Sequence, residues 1–128
     1  MIAPEVLLRD MLETPSLSGQ EGDLARLLVQ YMNTYRYNRS YIDEVGNAVG
    51  VMGEGSETII LLGHMDTVPG QIPVRREGDL VYGRGAVDAK GPLAAFIAAV
   101  AQVGPLPGKR LIVIGAVEEE AASSRGAR

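Results

Sequence analysis

At 128 residues and 46% hydrophobic, the chain can bury one ordinary core and is too short for two comfortable domains. Its net charge of −4 comes from 16 acidic against 12 scattered basic residues, which leaves no basic footprint for a nucleic-acid partner. Cysteine is absent, so disulfides, thiolate ligands and a cysteine nucleophile are excluded, and any metal must take nitrogen and oxygen donors.

Met1-Ile2-Ala3-Pro4-Glu5 has neither a basic n-region nor an apolar h-region, and the longest weakly polar run, 92–104, falls short of the ~20 residues of a membrane span. The expectation is a soluble, cytoplasmic protein with no membrane partner. Val6, Leu7, Met11 and Leu12 sit near helical spacing, and Pro15 argues that a first helix over 4–13 ends by Thr14. Ser18 and Glu21 have capping-box spacing ahead of the stripe Leu24, Leu27, Leu28 and Tyr31, which predicts a second helix over about 19–35. Two strands, 41–45 and 48–52, then flank a tight turn at Gly46-Asn47.

Thr58-Ile59-Ile60-Leu61-Leu62 is a continuous apolar run, the pattern of a central strand covered on both faces, and it delivers His64 just past its end. Residues 73–82 suggest a small hairpin around Glu77-Gly78-Asp79. The alanine-rich stretch 92–102 reads as a buried helix with proline in its first turn, closed by the glycines and prolines of 104–108. A second buried strand, 111–117, runs directly into Glu118-Glu119-Glu120. Strands alternating with helices predict an α/β sheet, in which ligands gather beyond the carboxyl ends of strands.

Three short segments carry the candidate chemistry. His64 and Asp66 are two apart, so an extended chain sends both side chains the same way and one can ligate while the other orients. Taken alone, the pair is weak evidence, and a core or surface histidine beside an unrelated aspartate is the more ordinary reading. Asp88 precedes the third helix, where either a metal or the helix N-terminus would stabilise its carboxylate. Phosphate binding is disfavoured there: Gly83-Arg84-Gly85 lacks the third glycine of a dinucleotide fingerprint, and Lys90-Gly91 lacks the Ser or Thr of a P-loop. Glu118 to Glu120 could be a solvated charge run, but no turn separates them from the apolar strand, so at least one should project into the cleft.

Taken together, Gly63-His64-Met65-Asp66, Gly83-Arg84-Gly85-Ala86-Val87-Asp88-Ala89-Lys90-Gly91 and Glu118-Glu119-Glu120 resemble the zinc-dependent amidohydrolases and exopeptidases of the M20 class. The resemblance covers essentially the whole chain and implies the first part of a three-layer catalytic domain with a mixed, largely parallel sheet flanked by helices. By that resemblance His64 is a ligand of one metal, Asp66 the residue that orients it, Asp88 the carboxylate bridging both metals, Glu119 the general base, Glu120 a ligand of the second metal and Glu118 a neighbour of the ligands. Two divalent ions are implied, zinc first and cobalt as the alternative. The reaction implied is metal-assisted amide hydrolysis.

Within the class, the compact spacer Val68-Pro69-Gly70-Gln71-Ile72-Pro73-Val74-Arg75 is similar to that of hydrolases releasing lysine or ornithine from an amino-group carrier protein. Such enzymes cut the amide between the amino acid and the carrier's C-terminal glutamate. Two alternatives stand beside this: a deacylase of small N-acyl amino acids, of the acetylornithine deacetylase or succinyl-diaminopimelate desuccinylase kind, and a metal-free binding module on the same scaffold. The resemblance also implies a further acidic ligand and a late histidine, a dimerisation domain and a homodimer, none of them within 1–128. His64 is the only histidine, so no substitute ligand of that kind stands among these residues.

Overall fold

A computed structural model describes residues 3–17, 19–66, 75–77, 80–82 and 90–117. The first helix, α1 (Pro4–Glu13), starts with proline in its first turn, where the missing N–H costs nothing, and buries Leu7, Met11 and Leu12. It stops where expected: Thr14 returns its hydroxyl to the Asp10 carbonyl at 2.7 Å, and Pro15 cannot follow in the helix.

The second helix, α2 (Gly22–Thr34), begins three residues later than the capping-box pattern indicated. Gly19 takes φ +84°, a left-handed conformation that no α-helix continues through, and Glu21, without a side-chain cap bond, occupies the N-cap position assigned to Ser18. Ser18 itself lies outside the described residues. The helix closes with a Schellman motif, in which Tyr37 N–H bonds the Met32 carbonyl and Arg36 N–H the Asn33 carbonyl, both at 3.0 Å. Arg36 takes the left-handed position, φ +65°, where glycine is the usual residue. That reversal sends Tyr37 into the core, where its hydroxyl donates to the Ile97 carbonyl at 2.8 Å.

Strands β1 (Arg39–Ile42) and β2 (Ala48–Met52) form an antiparallel hairpin. The first of them starts earlier and ends earlier than the sequence pattern indicated. Asp43 gathers the turn: its Oδ1 accepts the N–H groups of Val45, Gly46 and Asn47 at 3.0, 3.0 and 2.9 Å, so residues 43–45 leave the ladder.

Strand β3 (Glu57–His64), the short pair β4 (Arg75–Glu77) and β5 (Leu80–Tyr82), helix α3 (Lys90–Val103) and strand β6 (Lys109–Ala116) follow. The pair β4–β5 is the hairpin expected over 73–82. The four-stranded sheet has the order β1-β2-β6-β3, with β6 antiparallel to β2 and parallel to β3, so among the described strands the sheet is mixed.

Packing explains the register. Gly63 and Gly115 are paired across β3 and β6, and a Cβ on either would lie 3.3 Å from the Leu93 side chain, so paired glycines let α3 sit close on the sheet. Helix α2 packs on β1 and β2 over Gly50, where any side chain would collide with Met32 and Tyr37. Leu28, Met32, Leu93, Ile97 and Val113 form the centre of the resulting core.

Strand β3 departs from expectation. It is an edge strand of the described sheet rather than a central one, and alternation turns Ile60 and Leu62 away from α3, leaving them 57% and 52% exposed. The strand covered on both sides is β2, all five residues of which are buried. No described helix is long and apolar enough to cross a membrane.

Candidate metal centre

The parallel pairing of β3 with β6 brings their carboxyl ends together: His64 is the register partner of Ala116, and Met65 N–H continues the ladder to the Ala116 carbonyl at 2.8 Å. The peptide segment 64–66 therefore leaves the sheet beside Val117, and Glu118 follows Val117 in sequence.

The structure brings His64 and Asp66 together as their spacing suggested. The imidazole Nδ1 lies 3.0 Å from the Asp66 carbonyl oxygen and 3.3 Å from its carboxylate Oδ1, with Asp66 fully buried and His64 only 9% exposed. Both neighbours are oxygen acceptors, so Nδ1 is the nitrogen suited to carry a proton. In a neutral imidazole so protonated, Nε2 is the nitrogen left for a metal, the arrangement by which a carboxylate orients a metal-binding histidine.

Three further polar side chains hold the segments around this pair; of them only Lys90 falls within a motif, and no role was assigned to it there. Ser16, 1% exposed, donates its hydroxyl to the Met65 carbonyl at 2.7 Å, on the peptide between His64 and Asp66. Asn47 accepts the N–H of Val117 on its side-chain oxygen at 2.9 Å, and its amide nitrogen donates to Asp43 at 3.0 Å. Lys90, the first residue of α3 and 2% exposed, donates from Nζ to the Met11 carbonyl at 2.9 Å and the Thr14 carbonyl at 3.0 Å. Burial pushes the Lys90 ammonium down to about 8.

Of the residues singled out from sequence, the structure thus joins His64 with Asp66. Asp88, Glu118, Glu119 and Glu120 lie outside the described residues. Among the described residues no three His, Asp or Glu side chains converge on one point. What is visible nevertheless suits a borderline divalent ion, with one oriented imidazole and no thiolate in the chain. Ser16, Asn47 and Lys90 escaped the sequence reading, which treated Asn47 as turn chemistry and Lys90 as part of a rejected phosphate loop. Only the full burial of such polar residues marks them, and burial is not written in local spacing.

Residues 60–128, more than half of the chain, match the profile of peptidase family M20/M25/M40. A LysW-lysine hydrolase from Deinococcus radiodurans is 52% identical over 98% of this chain, and a putative LysW-lysine/LysW-ornithine hydrolase from Pyrococcus abyssi is 43% identical over 94% of it. The chain spans about a third of the length of each, 35% and 34%. Among solved structures, a dinuclear metal-binding M20 peptidase from Bacillus subtilis superposes with a TM-score of 0.69 at 17% identity, over 94% of this chain and 36% of the other. The mixed sheet with its flanking helices is the fold of such catalytic domains, and the chain belongs to peptidase family M20/M25/M40.

Proposed function

We propose that this chain is the N-terminal part of the catalytic domain of a metal-dependent amide hydrolase that releases lysine, or ornithine, from the C-terminal glutamate of an amino-group carrier protein. The observation that carries this reading is the buried His64 imidazole, its Nδ1 set against the Asp66 carbonyl and carboxylate at the joined carboxyl ends of β3 and β6. The family match and the relatives named for LysW-linked lysine and ornithine support it.

His64, Asp88 and Glu120 would hold two divalent ions, zinc first and cobalt as the alternative, together with an acidic residue and a histidine outside 1–128. Bound there, the ions would lower the pKa of a shared water and polarise the scissile carbonyl. Asp66 keeps the proton on His64 Nδ1. Glu119 takes a proton from the attacking water at its carboxylate and returns it to the departing amine nitrogen. Glu118 would be a neighbour of the ligands. The acyl side of the cut amide is the carrier's glutamate side chain, and the amine released is that of the amino acid.

The test uses the full-length protein with a carrier-linked lysine and, in parallel, N-acetylornithine. Free lysine should appear from the first substrate in strong preference to deacylation of the second. Glu119→Gln should keep the bound metal and lose turnover by about 10²- to 10⁴-fold, because only the proton carrier is removed. Efficient deacylation of N-acetylornithine without lysine release would assign the protein to the small-molecule deacylases. Unchanged function of Glu119→Gln in every assay would leave a binding module.

A further inference from the structure

The last turn of α1 and the residues just after it, 11–16, touch two of the segments assigned to the metal centre. On one side Ser16 donates to the Met65 carbonyl at 2.7 Å, which sets the plane of the Met65–Asp66 peptide. The His64 Nδ1 contact to the Asp66 carbonyl depends on that same short stretch of backbone. On the other side Lys90 Nζ fills two carbonyls at the end of α1, Met11 and Thr14, at 2.9 and 3.0 Å. An ammonium suits that place, because the last carbonyls of a helix have no partners within it and carry the negative end of its dipole. Lys90 stands two residues after Asp88 in sequence, and the tie fixes the start of α3.

These contacts join residues 49, 76 and 79 positions apart, and Ser16 and Lys90 are both buried. The turn itself is anchored by Leu7 and Met11, which are fully buried in the core. Burying a lysine is costly unless its donors are satisfied, and among the described residues its partners are two backbone carbonyls at one helix end.

We propose that Ser16 and Lys90 are positioning residues for the metal centre, and that the end of α1 is a brace that holds the His64–Asp66 segment and the start of α3 at a fixed separation. The proposal rests on the roles assigned above to His64 and Asp88. Neither Ser16 nor Lys90 touches substrate or metal in it. Each acts through the backbone it holds.

The test is made on the full-length protein with Ser16→Ala, Lys90→Met and His64→Ala. Zinc affinity is measured by chelator competition at a temperature well below unfolding, beside kcat and KM for the carrier-linked substrate. Ser16→Ala and Lys90→Met should each weaken zinc binding by about 10-fold or more and lower kcat, with KM within twofold of wild type, while Ser16→Thr, which keeps the hydroxyl, restores both. A purely structural role would lower the unfolding midpoint and leave the zinc affinity of the folded protein unchanged; that result overturns the brace. If Lys90→Met does not fold, the Ser16→Ala and Ser16→Thr pair decides alone. His64→Ala separates the two levels of the account: undiminished zinc binding in that variant removes the metal-site reading itself, whereas loss there with none in Ser16→Ala and Lys90→Met removes only the brace.

Discussion

The two ends of the β3–β6 pair are held by different kinds of polar contact. Where the strands begin, Lys109 pairs with Glu57 and Arg110 donates to Thr58 at 3.0 Å, all at the exposed rim. Where they end, the polar contacts are buried and directed at backbone: Ser16 on Met65, Asn47 on Val117, and Asp66 against His64. The exposed contacts have water as a ready substitute, and such pairs contribute roughly 0–1 kcal/mol. The buried ones have none, so each fixes a backbone position that nothing else would restore. The contrast marks the end of the sheet at which geometry matters, and it is the end where the acidic motifs leave the strands.

Urea unfolding of two variants would sharpen the contrast. Asn47→Ala strips the Val117 N–H of its acceptor at the buried end and should cost about 1–3 kcal/mol. Lys109→Ala at the exposed end should cost less than about 0.5 kcal/mol and leave turnover of the full-length protein unchanged. Equal losses from the two would break the comparison.

A smaller and graded effect comes from the tyrosines beneath the sheet. Burial raises the Tyr37 phenol above its usual range, with the neighbouring Tyr35 adding to it, and burial followed by the hydrogen bond to Asp10 raises Tyr31. The neutral phenol is therefore favoured in the folded state. That stability is present below the unfolded value of about 10 and is lost as the pH climbs above it. Unfolding midpoints taken between pH 9 and 11 should fall, and Tyr37→Phe should flatten the fall by removing one of the groups that titrate. A profile unchanged by Tyr37→Phe would show that the phenol is not held as the geometry indicates.

Much of this could be read from the sequence. Pro4 and Pro15 bracket α1, the apolar runs locate β2, β3 and β6, and the His64-x-Asp66 spacing brings the two side chains together as expected. The failures have physical causes. Ser18 and Glu21 satisfy a local capping pattern, but Gly19 in the left-handed region postpones α2. The apolar run of β3 reads as a strand covered on both faces, yet such a run reports composition and not neighbours, and Ile60 and Leu62 are exposed. The ties from Ser16, Asn47 and Lys90 cross 49 or more residues and have no periodic signature at all. Their side-chain types are also those most common in turns and on surfaces.

The central claim is that 1–128 supply His64, Asp88 and Glu120 to a two-metal centre completed by residues outside them. Elemental analysis of the isolated 128-residue chain beside the full-length protein, after identical dialysis, tests it most directly. The full-length protein should keep two divalent ions per subunit and the isolated chain far less than one. Two tightly held ions on the isolated chain would contradict the account.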